Sequence, residues 1–455
     1  MRQIYSLIIS LYGLSLRLLS VFNQKARDWF YGRSSLFTKL DEVFRAHYAG
    51  ENPSPVIWIH CASLGEYEQG RPVIQEIKKR FPGFLVLLTF FSPSGFKNRA
   101  SNSDADLVFY LPIDTRKNAR RFIRIVSPSM AVFVKYEFWY NYLHELYINN
   151  IPTYTISAIF RPDQHFFKWY GGWFRTHLRH LKRIFVQDVE SAELLNMIDV
   201  NNVTVCGDTR FDRVTGIMQQ QISITAMEDF ADGSKVLVAG STWPVDEDLL
   251  KKLLDSTSGK LKLIIAPHEV NPHHLAELST RFKGDAVLFS MLEGRDTLED
   301  ITDNSKNETL GRVIDNKVEN SIPVPEVKAS DYQVLIIDSI GLLSQIYKYA
   351  DIAYIGGGFG VGIHNTLEAA VYSKPILFGP NYHKFREARE LIDMQAAVSI
   401  KNSEELISEV RSMLDSSSKL ESYSQAAGQY VKDRTGATEL IMTEVEGYIS
   451  NVISK

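Results

Sequence analysis

The chain has 455 residues, more than one ordinary domain holds, so two domains are the first expectation. Hydrophobic residues make up 45% and charged residues 23%, a globular balance that excludes a wholly disordered chain. A formal net charge of -4 gives no global basic field for nucleic acid, and two cysteines, Cys61 and Cys206, are too few for a disulfide scaffold.

The N-terminus is apolar. From Gln3 to Phe22 the chain reads QIYSLIISLYGLSLRLLSVF, about the length that spans hydrocarbon as a helix. No small-residue cleavage site follows it, which argues against a signal peptide. Lys25, Arg27 and Arg33 come next, and positive charge there favours keeping the downstream chain in the cytoplasm. Residues 1–24 therefore read as a membrane anchor, either spanning the bilayer or lying in its interface; a buried packing helix is the rival.

Short apolar runs then recur between amphipathic stretches. Strands are expected at Val56–His60, Phe84–Thr89, Leu107–Tyr110, Met130–Val134, Thr153–Ile156, Ile184–Gln187 and Val203–Val205. They are β-branched and aromatic with little alternation, as strands buried on both faces are, and the helical stretches between them imply βαβ units. The same pattern restarts at Val236–Gly240, Leu261–Ala266, Ala286–Phe289, Val334–Ile337, Ile352–Ile355 and Ile376–Phe378. A polar stretch, Arg213–Ser234, reads as the linker between an N-terminal domain over 25–215 and a C-terminal domain over 216–455. A second polar stretch, about 292–331, reads as an insertion. The fold class is α/β, with two Rossmann-like domains facing a cleft and ligands expected at the carboxyl ends of their strands.

The ends of these strands carry the chemistry. Ser63 and Glu66 have the spacing of a capping box, and Glu66 is equally placed to accept a proton from an attacking hydroxyl. Ser92-Pro93-Ser94-Gly95 suits a helix cap or a polar ligand. Lys135 and Glu137 beside Phe138 and Trp139 look more like a site than a core. Arg210, in GDTRFD, is a cation for a departing phosphate or one half of a surface ion pair. Phe166–Arg183 mixes aromatics with Lys168, Arg175, Arg179, Lys182 and Arg183, which suits anionic headgroups as well as it suits a solvated face.

In the second half, Gly240-Ser241-Thr242-Trp243 is a plausible phosphate turn. His268, His273 and His274 lack the spacing of a zinc motif, and no metal is expected. The strongest local signal is IGGGFGVGIHNTLEAA. Its glycines permit close backbone approach, and Asn365 and Glu368 share the first turn of a helix, either as a cap or as contacts to phosphate and ribose.

Taken in order, Ala62–Glu66, Ser92–Gly95, Tyr110–Asp114, Glu137–Trp139, Gly207–Asp212 and His364–Ala370 resemble the 3-deoxy-D-manno-octulosonic acid (Kdo) transferase family of lipopolysaccharide synthesis. The resemblance implies a GT-B glycosyltransferase on the cytoplasmic face of the inner membrane. It implies a CMP-Kdo donor, a lipid A precursor (lipid IVA) as acceptor, inversion at the anomeric carbon, and no metal or other cofactor. By the same resemblance Glu66 is the proton acceptor and Glu137 and Arg210 stabilise the transition state. Pro267, His268, Ile340, Gly341, Leu342, Asn365, Thr366, Leu367 and Glu368 bind CMP. The chain departs from the family's pattern at His268, where Arg is frequent, at Arg210, where Lys is common, and in Glu-Ala-Ala where Glu-Pro-Ala is usual. Two other functions compete: a UDP-sugar transferase of the same fold, which nucleotide titration separates, and a tethered binding protein that closes on a ligand without turnover.

Overall fold

The computed structural model describes residues 1–100, 103–220, 222–257, 259–293 and 328–453. These form two compact units, one of residues 1–213 with 434–455 and one of residues 214–433.

The first unit is built on β1 (Val56–Cys61), β2 (Leu85–Phe90), β3 (Leu107–Tyr110), β4 (Met130–Val134), β5 (Thr153–Ala158), β6 (Arg183–Val186) and β7 (Val203–Val205). All pair parallel, in the order β3-β2-β1-β4-β5-β6-β7. The strand VIWIHC is buried at every position because helices cover both faces of the sheet. One face packs Trp58, Phe122, Phe133 and Tyr142. The other packs Ile57, Ile59, Tyr67 and Val73 with Ala437, Ile441, Val445 and Ile449 of the last helix, Ala437–Ile453. That helix is why residues 434–455 belong to the first unit, where the sequence reading continued the second domain to 455. Its start is held by Asp212, which accepts from Gly436 N at 2.6 Å and from Thr438 N and Oγ1 at 2.7 Å.

The second unit is built on β8 (Lys235–Thr242), β9 (Leu261–Pro267), β10 (Ala286–Leu288), β11 (Val334–Ile336), β12 (Ile352–Ile355), β13 (Ile376–Phe378) and β14 (Ala397–Ser399). Its sheet is also parallel, in the order β10-β11-β9-β8-β12-β13-β14. Sequence reasoning missed β14, a three-residue strand too short for a periodic signal. The boundary between the units falls at Arg213, where the expected linker starts, and that stretch carries the helices Thr209–Gln219 and Thr225–Ala231. Met227 and Phe230 are buried and give the second of these helices an apolar side. Most of the expected insertion, residues 294–327, lies outside the described residues.

The N-terminal helix, Arg2–Leu19, has no buried residue. It lies on the first unit through polar and aromatic contacts: Arg2 pairs with Glu145 at 3.0 Å, the Tyr5 hydroxyl donates to Asp114 at 2.6 Å, and the Tyr5 ring packs on Tyr140 at 5.1 Å between centroids. Ile4, Leu7, Ile8, Leu11, Leu14 and Leu18 stay exposed, and Phe22 is 89% exposed. Among the described residues no single helix is long and apolar enough to cross a membrane; Arg2–Leu19 and Gln24–Tyr48 meet that test only as a pair bent by 119°.

Candidate active site

In a parallel sheet the place where strand order reverses leaves a crevice at the carboxyl ends. In the first unit that place is between β1 and β4. Glu66 follows β1 and Glu137 follows β4, so topology brings two of the expected catalytic residues to one spot.

Glu66 lies in the first turn of helix Leu64–Arg80. The expected capping box does not form in its usual sense, since the Ser63 side chain caps no backbone amide. Its hydroxyl donates to the Glu66 carboxylate instead. Lys135 approaches the other Glu66 oxygen, Nζ to Oε1 3.7 Å. Lys135 itself has φ 64°, a left-handed backbone that a non-glycine residue adopts only where its surroundings compel it. That turn ends β4 and carries the chain to Glu137. Burial, and then the charge of Glu66, push the Glu137 carboxyl up to about 7; the nearby Trp139 indole and the charge of Lys135 oppose the rise. Glu137 therefore holds its proton to higher pH than an exposed glutamate does.

Trp139 is fixed from behind. Its indole Nε1 donates to His60 Nε2 at 3.1 Å, and His60 Nδ1 lies 2.9 Å from Thr89 Oγ1. An indole nitrogen only donates, so His60 Nε2 accepts and the ring is neutral. Burial agrees, lowering the His60 pKa to about 3. Sequence reasoning missed this network; the lone histidine in VIWIHC was the available signal.

Arg210 opens helix Thr209–Gln219. Its Nε donates to Asp208 Oδ2 at 2.8 Å, so the ion pair foreseen as its bland alternative exists. Asp208 Oδ1 also accepts from Gln69 Nε2 at 3.0 Å, which ties Arg210 to the helix that carries Glu66. Thr209 Oγ1 donates to Gln69 O at 2.5 Å.

In the second unit the order reverses between β8 and β12. Pro267 ends β9 and His268 follows it, exposed. Ile340, 89% exposed, and Gly341 and Leu342 form the turn after β11, where Gly341 has φ 100°. Asn365 Oδ1 accepts from Leu367 N at 3.1 Å, and its amide donates to Glu368 Oε1 at 3.0 Å. The helix itself starts at Leu367 with Thr366 as its N-cap, so Asn365, expected as the cap, lies one residue before it, and its amide sets the Glu368 carboxylate in place. Thr366 and Leu367 are buried, leaving Asn365 and Glu368 as the more accessible side chains of the four. His273 and His274 part company: His274 Nε2 meets buried Glu247 at 2.8 Å, and His273 faces Glu277.

The glycine turn after β12 is packed against protein. A Cβ on Gly356 would lie 2.3 Å from Ser241 O, and one on Gly358 would lie 2.5 Å from Gly379 N. These glycines permit backbone to approach backbone. Asp246, unmarked in the sequence reading, staples the turn by accepting from Gly357 N at 2.9 Å, Trp243 N at 2.9 Å and the Tyr354 hydroxyl at 2.7 Å.

Comparison with known proteins follows these lines. Residues 38–213 match the family model described as 3-deoxy-D-manno-octulosonic-acid transferase (kdotransferase). The 3-deoxy-D-manno-octulosonic acid transferase of Rickettsia conorii is 27% identical over 401 residues, which cover 87% of this chain and 79% of that protein. The protein of the same name from Rickettsia felis is 26% identical over 385 residues, 83% of this chain and 76% of the other. In structure, UDP-GlcNAc 2-epimerase from Neisseria meningitidis, solved with UDP-GlcNAc, matches with a TM-score of 0.56 and 14% identity, covering 86% of this chain and 100% of that one; at that identity the likeness is one of fold. With its two parallel sheets, its family-model match over residues 38–213 and relatives of one name along most of its length, this chain is a glycosyltransferase of GT-B type that is similar to the 3-deoxy-D-manno-octulosonic acid transferases.

Proposed function

We propose that the protein transfers Kdo from CMP-Kdo to a lipid A precursor, lipid IVA, with inversion at the anomeric carbon and without a metal. The reaction takes place at the cytoplasmic face of the inner membrane. The observation that carries this reading is the pairing of Glu66 with Glu137 at the switch point of the first sheet, each following one of the two central strands.

An acceptor hydroxyl is a weak nucleophile until its proton leaves, and a carboxylate within hydrogen-bond reach can take it. Glu66 has that role. The hydroxyl of Ser63 and the ammonium of Lys135 each engage one of its oxygens and fix its orientation. Glu137, half-buried and with a carboxyl raised to about 7, supplies a hydrogen-bond donor when protonated. Such a donor stabilises negative charge that grows on the sugar–phosphate as the bond breaks. Arg210, oriented by Asp208, adds a cation for the same charge. In the second unit the ribose hydroxyls of CMP fall to Glu368 and Asn365, and the phosphate to the residues after β8 and β9. The N-terminal helix, with its apolar residues exposed, keeps the enzyme at the surface where a lipid acceptor is found.

The donor is tested by titrating the full chain with CMP and with UDP. Tighter binding of CMP by at least about tenfold is expected; preference for UDP would move the protein to the competing donor class.

A further inference from the structure

Three aromatic rings cluster at the carboxyl ends of the second sheet, with His268 stacked on both of the others. Trp243 follows β8, His268 follows β9, and His364 closes the glycine turn after β12. Ring centroids are 4.7 Å apart between Trp243 and His268 at an interplanar angle of 24°, and 4.5 Å apart between His268 and His364 at 29°. Trp243 Nε1 donates to His364 Nε2 at 3.4 Å, so that nitrogen carries no proton in this arrangement.

The acidic groups nearby are committed elsewhere. Asp246 holds Trp243 N, Gly357 N and Tyr354. Glu247 is paired with His274 and with Arg281 at 2.6 Å. Glu368 accepts from Asn365, and Glu269 accepts from Asn271 at 3.3 Å. Among the described residues neither imidazole of the stack hydrogen-bonds to a carboxylate. Burial, and then the neighbouring His268, lower the pKa of His364, with Asp246 opposing. Asp246 acts on the pair only through space, since its oxygens are taken by Trp243 N, Gly357 N and Tyr354, and the outer ring, His268, is exposed to solvent.

We propose that His268 and His364 form a proton-coupled phosphate receptor: the pair takes up one proton from solvent when the phosphate of the nucleotide donor binds beside it. This deepens the CMP-sugar reading of the second unit and rests on it. A phosphate supplies the negative charge that makes one imidazolium favourable, and the imidazolium holds the phosphate. By linkage each strengthens the other by the same factor. Stacking at this spacing restricts the uptake to one proton, since two facing imidazolium rings repel. Donor binding consequently tightens as pH falls through the range in which imidazole titrates.

The test is calorimetry on the full chain with CMP at pH 6, 7 and 8, using cytidine as the control without phosphate. Titrations run in two buffers of different ionisation enthalpy count the protons taken up. For the wild type the Kd for CMP should rise by at least about tenfold from pH 6 to pH 8, with proton uptake at pH 7, while cytidine stays flat. His268→Gln should bind CMP weakly, with a pH dependence reduced to about threefold or less. His268→Arg, a permanent cation, should bind tightly at all three values. The phosphate of CMP has its own titration, which is common to all three proteins and cancels in the comparison. A wild-type pH dependence no greater than that of His268→Gln would overturn the inference and leave the donor reading standing. Failure of CMP to bind at every pH would overturn the donor reading and this inference together.

Discussion

Replacing Glu137 with Gln should stabilise the protein at alkaline pH while harming catalysis. The Glu137 carboxyl is raised from 4.5 to about 7 by burial and by Glu66. Well below pH 4.5 the folded and unfolded states both hold the proton, and the shift has no effect on stability. Between pH 4.5 and 7 the unfolded chain releases the proton and the folded one keeps it, so stability falls as pH rises. Above pH 7 the folded state carries the full cost of an ionised, half-desolvated carboxylate next to a second one. At about 1.4 kcal/mol per pH unit, that cost is about 3 kcal/mol. Glu137→Gln removes the charge and keeps the shape. It should be more stable than the wild type by roughly 2–3 kcal/mol at pH 8, and by about 1 kcal/mol or less at pH 5. Urea unfolding at the two pH values, followed by tryptophan fluorescence, measures the difference; the transition of the unit that contains Glu137 is the one to fit. Turnover of the same variant should fall, because a neutral amide is a poorer donor to developing charge than a carboxylic acid. A variant no more stable than the wild type at pH 8 would refute the argument that this carboxyl is held in place at a cost.

Three further outcomes are expected. Glu66→Gln, which still accepts from Ser63, should lower kcat by at least about a hundredfold with CMP affinity unchanged; near-normal turnover with lost stability would reduce Glu66 to a structural partner of Ser63. Glu368→Ala should weaken CMP binding roughly ten- to a hundredfold by calorimetry, the worth of a charged hydrogen bond; unchanged affinity would leave Glu368 as the partner of Asn365 alone. Deleting residues 1–22 should release the enzyme from membranes on flotation with its fold intact, because the helix contributes no buried residue and both sheets have cores of their own; an insoluble product would show that its contacts to Asp114 and Glu145 are essential to folding.

How much of this was legible in the sequence depended on the kind of signal. The thirteen expected strands appear because parallel strands buried on both faces read as apolar runs, as in VIWIHC and LKLIIAP. The short β14, AVS, has no such run. The helices of the linker stretch left little signal, because Thr225–Ala231 buries only Met227 and Phe230 among polar neighbours. At the site, residue types at strand ends singled out Glu66, Glu137 and Arg210. Their spacing did not reveal that the Ser63 hydroxyl turns to the Glu66 carboxylate, or that Lys135 adopts a left-handed backbone to reach it. The glycines after β12 advertise close approach without saying to what; here it is the backbone at Ser241 and Gly379. Asp246 and the stack of Trp243, His268 and His364 assemble from three separate strand ends, and such tertiary convergence leaves no local pattern in one sequence.

The central claim is tested most directly by transfer itself. CMP-Kdo generated in situ is supplied to the purified full chain with lipid IVA in detergent, and the lipid is read by mass spectrometry. The account predicts a lipid heavier by one or more Kdo residues, release of CMP in proportion, and loss of both in Glu66→Gln. Unmodified lipid IVA in the presence of intact CMP-Kdo, from a protein that binds CMP, would contradict it.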